Sequence, residues 1–194
     1  MSGKLIVLSG PSGVGKSTVV REVMSRCPNL HFSVSATTRA MRPGEVDGEN
    51  YFFVSKETFQ SMIRGQELLE YTEYVGNFYG TPEAPLNKAL EEGQDILLDI
   101  EPQGALNVKH RRPDAILIFM MASSFDDIAQ RLQGRGDTAP EVVKDRLERA
   151  KWEYTQAELY DYLVVNDKVE NAVHEIMSIM TAEKCRTKSR KHLL

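Results

Sequence analysis

Residues 10 to 17 read Gly-Pro-Ser-Gly-Val-Gly-Lys-Ser, a full G-x-x-x-x-G-K-[ST] loop placed directly behind the apolar run Leu5-Ile6-Val7-Leu8. A buried strand feeding a glycine turn and then a helix aims several backbone N–H groups and the positive end of a helix at one point, where a nucleotide polyphosphate sits. Gly10, Gly13 and Gly15 allow the tight turns, Lys16 reaches the β and γ phosphates, and the Ser17 hydroxyl is suited to ligate Mg²⁺. Pro11, Ser12, Val14 and Thr18 belong to the same nucleotide cradle. Such a chain is expected to handle ATP or GTP.

Three further groups of residues could do chemistry. The run Asp95-Ile-Leu-Leu-Asp99 ends a strand in a carboxylate, with Glu101 two residues on. An acid in that position either holds Mg²⁺ through water or meets a second substrate. Arg39 and Arg42, then Arg131, Arg135 and Arg146, supply guanidinium forks, and beside a phosphate loop such forks suit phosphate oxygens. Arg131 and Arg135 share a face if their helix persists. Late in the chain, Asn166-Asp167-Lys168 has the wrong order to read guanine as GTPases do; Asn166 and Asp167 either contact ATP or, for Asp167, cap a helix.

Four apolar runs are predicted to be buried parallel strands that position these groups: Leu5 to Leu8, Ile96 to Ile100, Ile116 to Met120, and Leu163 to Val165, with Phe32 to Val34 as a fifth. Helical patterns separate them, from Lys16 to Arg26, Pro82 to Glu92, from Ser124 onward, and Glu170 to Lys184. Thr138-Ala-Pro-Glu141 reads as a capping box opening a helix that passes Trp152. The alternation predicts an α/β fold whose parallel core sheet, flanked by helices, binds ligands at the carboxyl ends of its strands. Residues 33–84 break the pattern. Their turns (Arg42-Pro43-Gly44, Asp47-Gly48, Gly76-Asn77) and aromatic strand candidates (Tyr51 to Phe53, Leu69 to Val75) predict a small mixed α/β insert, while 124–157 form an arginine-bearing helical excursion. The core is then 1–32, 85–123 and 158–194.

The bulk numbers fit one domain. With 194 residues, 41% hydrophobic, 27% charged and a net charge of -4, the chain has no general attraction to nucleic acid or to anionic membranes. Without an apolar stretch near the roughly 20 residues of a membrane helix, or a secretory leader, it is expected to be cytoplasmic. Cys27 and Cys185 lack metal-ligand spacing and are read as reduced thiols. The basic tail from Lys184 to His192 is read as a solvated helix end.

The ordered segments resemble the guanylate kinases. The stretches that carry the resemblance are Gly10 to Ser17, Ser33-Val-Ser-Ala-Thr-Thr-Arg39, Arg42-Pro-Gly-Glu45, Gly48-Glu-Asn-Tyr-Phe-Phe53, Gly76-Asn-Phe-Tyr-Gly-Thr81, Asp99-Ile-Glu-Pro-Gln-Gly104, Arg131-Leu-Gln-Gly-Arg135, Arg146-Leu147 and Val165-Asn-Asp167. They span nearly the whole chain, and the aromatic elements are far narrower signals than the phosphate loop. The resemblance implies the P-loop NTPase fold and a Mg²⁺-dependent enzyme that moves the γ-phosphoryl of ATP onto GMP, and also dGMP. It makes 33–84 the GMP-binding subdomain and 124–157 a lid. Arg39, Arg42, Tyr51 and Tyr79 would clamp the GMP phosphate; Ser35, Glu70 and Thr81 would read guanine; Gly80, Asp99 and Gly104 would complete the acceptor site. Lys16, Arg42, Arg135 and Arg146 would be catalytic, and Arg131 and Asn166 would contact ATP. Spacing alone does not choose among Glu67, Glu70 and Glu73; the family pattern picks Glu70. Two departures stand out, Glu101-Pro102 where many relatives have aspartate and an apolar residue, and Met41 where proline is common.

Overall fold

The computed structural model describes residues 2–74, 76–133 and 140–194. Its main sheet has five parallel strands in the order β2-β7-β1-β8-β9: β1 (Leu5–Ser9), β2 (Leu30–Phe32), β7 (Asp95–Asp99), β8 (Ile116–Ala122) and β9 (Tyr162–Asn166). The three central strands are continuous apolar runs because both faces are covered. On one face Ile6, Leu8, Leu97, Ile118 and Met120 pack with Val19 and Val23 of α1 (Lys16–Arg26) and Val173 and Ile176 of α7 (Val169–Cys185). On the other, Leu5, Val7, Leu98 and Leu117 meet Leu86 and Leu90 of α3 (Glu83–Glu91) and Ala105 and Val108 of α4 (Pro102–Arg111). In-register pairing of Leu8 with Asp99 brings the phosphate-loop end of β1 and the carboxylate end of β7 to the same edge.

A second sheet of four strands, ordered β4-β3-β6-β5, lies within the segment that breaks the parallel pattern: β3 (Ala36–Thr37), β4 (Phe52–Phe53), β5 (Leu68–Tyr74) and β6 (Asn77–Pro82). It is mixed, with β3 parallel to β4 and antiparallel to β6, which is antiparallel to β5. Its core is small. Ala36, Phe59 and Leu68 are buried together, and Phe59 of α2 (Lys56–Arg64) stacks on Phe78 at 5.4 Å.

The structure adjusts several sequence-based expectations. The strand expected at Phe32–Val34 lies at Leu30–Phe32, because the turn bond from Leu30 N–H to Cys27 O starts the pairing earlier. Two helices were not foreseen, α2 and α4. Ser55 caps α2 by accepting from Thr58 N–H at 3.1 Å, and Phe59, Met62 and Ile63 supply the i, i+3, i+4 stripe. Pro102 opens α4 at a position where its missing N–H is no loss, although Pro-Gln-Gly reads locally as a loop. Toward the end of the chain, α5 (Phe125–Gln133) and α6 (Pro140–Thr155) carry the charged excursion; Thr138 of the expected capping box lies outside the described residues. Among the described residues no helix is long and apolar enough to cross a membrane.

Leu117 is 0% exposed at the centre of the sheet. Leu117→Ala should destabilise the fold by roughly 2–5 kcal/mol, seen in urea unfolding as a lower midpoint at unchanged slope.

Candidate active site

β1 ends at Ser9, and the chain turns through Gly10 so close to β8 that a side-chain carbon there would lie 2.2 Å from Met120 O. Only glycine permits that approach, and it sets the loop flush on the sheet. Gly15 caps α1 without a side chain, which leaves the first-turn amides facing the cavity. Val14 is buried and its carbonyl accepts from Asn166 Nδ2 at 2.8 Å, so the last residue of β9 props the loop from below. Lys16 folds back: its Nζ donates to Gly10 O at 2.6 Å and lies 3.8 Å from Asp99 Oδ1. Burial pushes the Asp99 carboxyl up, while the Lys16 ammonium opposes the shift.

A cavity of about 440 Å³ separates two walls. Pro11, Ser12, Gly13, Gly15, Lys16 and Ser17 form one; Glu70, Thr72, Tyr79 and Gly80 of the second sheet, with Ser35 and Tyr51 just before its strands β3 and β4, form the other. Asp99, Ile100, Glu101 and Gly104 make the floor. Glu70 is 6% exposed, and its Oε1 accepts from Thr81 Oγ1 at 2.7 Å. Burial pushes its carboxyl up, with the Thr81 hydroxyl and amide pulling the other way. At Gly104 a side-chain carbon would come 2.9 Å from Glu70 Oε2, so the glycine is what leaves room for this carboxylate.

Beside the cavity, Arg39 donates to both oxygens of Glu45 at 2.7 and 3.0 Å and lies over the rings of Tyr51 and Phe53, 5.4 and 5.6 Å from their centroids. Tyr51 meets Tyr79 edge-on at 6.0 Å. Arg42 is exposed, and its backbone N–H donates to Glu45 Oε2 at 2.7 Å. The fork from Arg39, joined by that N–H, holds the Glu45 carboxyl below the usual range.

Not every predicted residue converges on the cavity. Arg146 sits half-buried on α6 and does not line it; Arg135 and the side chain of Arg131 lie outside the described residues. Thr18 lies within the first turn of α1, its N–H bonded to Gly15 O at 3.2 Å. Asp167 accepts from Lys168 N–H at 2.6 Å and from Asn171 Nδ2 at 3.0 Å, contacts that organise the start of α7. Sequence reasoning passed over Thr72 and Ile100 as cavity residues. Thr72, two places after Glu70 on one strand, carries a period-2 signal. Glu45 was within a recognised segment but had been given no task.

Main-chain amides shaped for a polyphosphate, set across a cavity from a buried hydrogen-bond acceptor, define a nucleotide-directed phosphotransferase. Residues 2–183 match the family model for guanylate kinase, and the chain belongs to that family. It is 50% identical over 187 residues to a guanylate kinase of Thermus thermophilus, covering 96% of this chain and 84% of the relative. Against the guanylate kinase of Desulfitobacterium hafniense it is 48% identical over 191 residues, covering 98% and 96%. A crystal structure of guanylate kinase from Anaplasma phagocytophilum superposes with a TM-score of 0.78 at 33% identity, covering 96% of this chain and 88% of that one. The resemblance read from the sequence is thereby shown, and the chain is a kinase of the family that phosphorylates GMP from ATP.

Next to the cavity floor lies a second acidic pair. Glu153 on α6 is 2% exposed, and Arg149 bridges it to Glu101, with Nε 3.2 Å from Glu153 Oε1 and Nη2 3.1 Å from Glu101 Oε2. Burial first, then the Glu101 carboxylate, push the Glu153 carboxyl up from 4.5 to about 7, against the pull of Arg149. The native state therefore keeps a proton that the unfolded chain releases, and this group's contribution to stability falls as pH rises from about 4.5 to about 7. Glu153→Gln should remove that slope; its urea midpoint should gain on the parent's between pH 5 and pH 8, and a constant difference across that range would contradict the assignment.

Proposed function

We propose that this chain moves the ATP γ-phosphoryl directly to a GMP or dGMP phosphate oxygen in line, with no covalent enzyme intermediate. The observation that carries the reading is the pairing of Glu70 with Thr81 on the wall opposite the phosphate loop. Guanine presents N1–H and N2–H₂ donors side by side, and one ionised carboxylate accepts both, while the Ser35 hydroxyl donates to O6 or N7; Thr81 serves the reading by giving its one hydroxyl proton to Glu70 and so fixing the carboxylate. Adenine would leave Glu70 unpaired in a buried place, a penalty on the scale that lets such sites reject a wrong base by ~10⁴ to 10⁵.

In this reading the cradle from Gly10 to Thr18 orients ATP, with Arg131, Asn166 and Asp167 as its further contacts. Asn166 acts through the Val14 carbonyl it holds. Arg39, Arg42, Tyr51 and Tyr79 grip the acceptor phosphate, and Gly80, Asp99 and Gly104 shape the space between. Lys16, Arg42, Arg135 and Arg146 neutralise charge on the transferring oxygens. Closure of 33–84 and of a lid at 124–157 onto the core excludes water. The donor set suits Mg²⁺: Ser17 faces the cavity and Asp99 stands beside Lys16, and a Mg²⁺ that takes its other oxygens from phosphates and water needs no larger protein cluster. Ser17 would hold it directly and Asp99 through water, and it would supply positive charge at the β and γ oxygens. The reading is of a cytoplasmic enzyme of small nucleotides, and a net charge of -4 gives it no general attraction to nucleic acid or to anionic membranes.

An ADP-release assay with GMP, AMP, CMP and UMP tests the reading; GMP should be used ~10⁴-fold better or more by kcat/KM. Lys16→Ala should keep the fold, by circular dichroism, and lose ~10²- to 10³-fold in kcat. Glu70→Ala should lose ~10²-fold or more in kcat/KM for GMP with KM for ATP unchanged. Unaltered GMP kinetics in that variant would remove the base assignment.

A further inference from the structure

The strand that carries Glu70 is irregular immediately before it. Leu68 stands opposite Pro82 and Glu70 opposite Thr81, two steps along β5 against one along β6, so Leu69 is an extra residue in a bulge. The bulge sends neighbouring side chains to different places. Leu68 packs with Phe59 in the small sheet's core, whereas Leu69, 1% exposed, enters the core of the main sheet. Such a bulge disrupts the ladder, so its carbonyls need other donors.

Arg111, in the last turn of α4, supplies them. One guanidinium nitrogen, Nη1, donates to Leu68 O and, at 2.8 Å, to Leu69 O; the other, Nη2, donates to Glu83 Oε2 at 2.7 Å where the chain leaves β6 and starts α3. Gly104 lies seven residues earlier on α4, which is about two turns and hence the same face. That face therefore meets Glu70 twice. At Gly104 it gives the carboxylate room, and roughly 10 Å further along the axis it grips the backbone that leads into Glu70.

We propose that Arg111 is a positioning residue for base recognition, holding the bulge at Leu68–Leu69 so that the Glu70 carboxylate lies where guanine can be read. The proposal rests on the reading of Glu70 as the guanine acceptor. Arg111 does not line the cavity and acts through the strand. Its ion pair with Glu83 is partly exposed and contributes little by itself; holding both carbonyls with one nitrogen while the other meets Glu83 takes the planar fork, which lysine lacks.

The test compares Arg111→Met, Arg111→Lys and Glu70→Gln, measuring kcat and KM for GMP and for IMP at saturating ATP, KM for ATP, and thermal unfolding. IMP lacks the 2-amino group, so its use relative to GMP reports the placement of Glu70, which a merely structural role would leave unmoved. In Arg111→Met, KM for GMP should rise ~10-fold and the GMP-over-IMP preference should shrink, with KM for ATP unchanged. Arg111→Lys should fall between, and carries the test alone if the methionine variant does not fold. An unchanged GMP-over-IMP ratio, or equal rises in KM for GMP and ATP, while Glu70→Gln is impaired, would overturn the proposal alone. Unchanged GMP use in Glu70→Gln would take away the base reading and the proposal with it.

Discussion

Burying a carboxylate without a full set of donors is expensive, and the second sheet is organised around one such group. Glu70 is nearly inaccessible yet receives a side-chain hydrogen bond from Thr81. Its remaining acceptor capacity points into the cavity, toward whatever arrives with paired N–H donors. Keeping it there takes a bulge in β5, a glycine on α4 and a cross-strand hydroxyl on β6, each from a different element. Specificity of this kind is stored beforehand as an unmet hydrogen-bonding demand, and the matching base discharges it.

The opposite wall follows the reverse logic. There the main chain itself presents donors, and tight packing holds it rigid: Gly10 sits against the Met120 carbonyl and Val14 is fixed by Asn166 from β9. Because β1, β7 and β9 are parallel strands of one sheet, Gly10, Asp99 and Asn166 reach the same edge without any of them being near the others in sequence. A polyphosphate meets a surface already shaped, so little ordering cost is incurred on binding.

Legibility in the sequence tracked how local each signal was. The phosphate loop, the three central strands and the long helices depend on neighbours a few residues away, and periodicity exposes them; the run Leu163 to Val165 forms its strand but is not buried, because β9 is the sheet's edge and Leu163 and Val165 face outward. Glu70 does not. Glu67, Glu70 and Glu73 are equivalent by composition and share one short stretch, and what separates them is a register shift against β6 that exists only once the hairpin has formed. Arg111 is less visible still, since its partners are carbonyls more than forty residues away. α4 was missed because Pro-Gln-Gly at its start reads as a turn, although proline in the first turn is compatible with a helix. Residues whose work is to hold backbone leave almost no trace in a single sequence.

Two cations of the site, Lys16 and Arg39, are already occupied by the protein's own acceptors. Lys16 donates to Gly10 O and stands beside Asp99; Arg39 spends three N–H bonds on Ala40 O and the two Glu45 oxygens. These internal partners keep extended side chains ordered before a nucleotide arrives. They also set a condition on any phosphate. For Lys16 it must replace a neutral carbonyl, which is easily surrendered, whereas for Arg39 the bidentate carboxylate is the stronger partner and stays. In the proposed reading a phosphate at Arg39 would bind the N–H groups that Glu45 and Ala40 leave over, with the guanidinium plane fixed by Tyr51 and Phe53. Glu45 thereby fixes the orientation of the Arg39 guanidinium, and in the proposed reading the direction from which an acceptor phosphate would be held follows from a carboxylate that need never touch it.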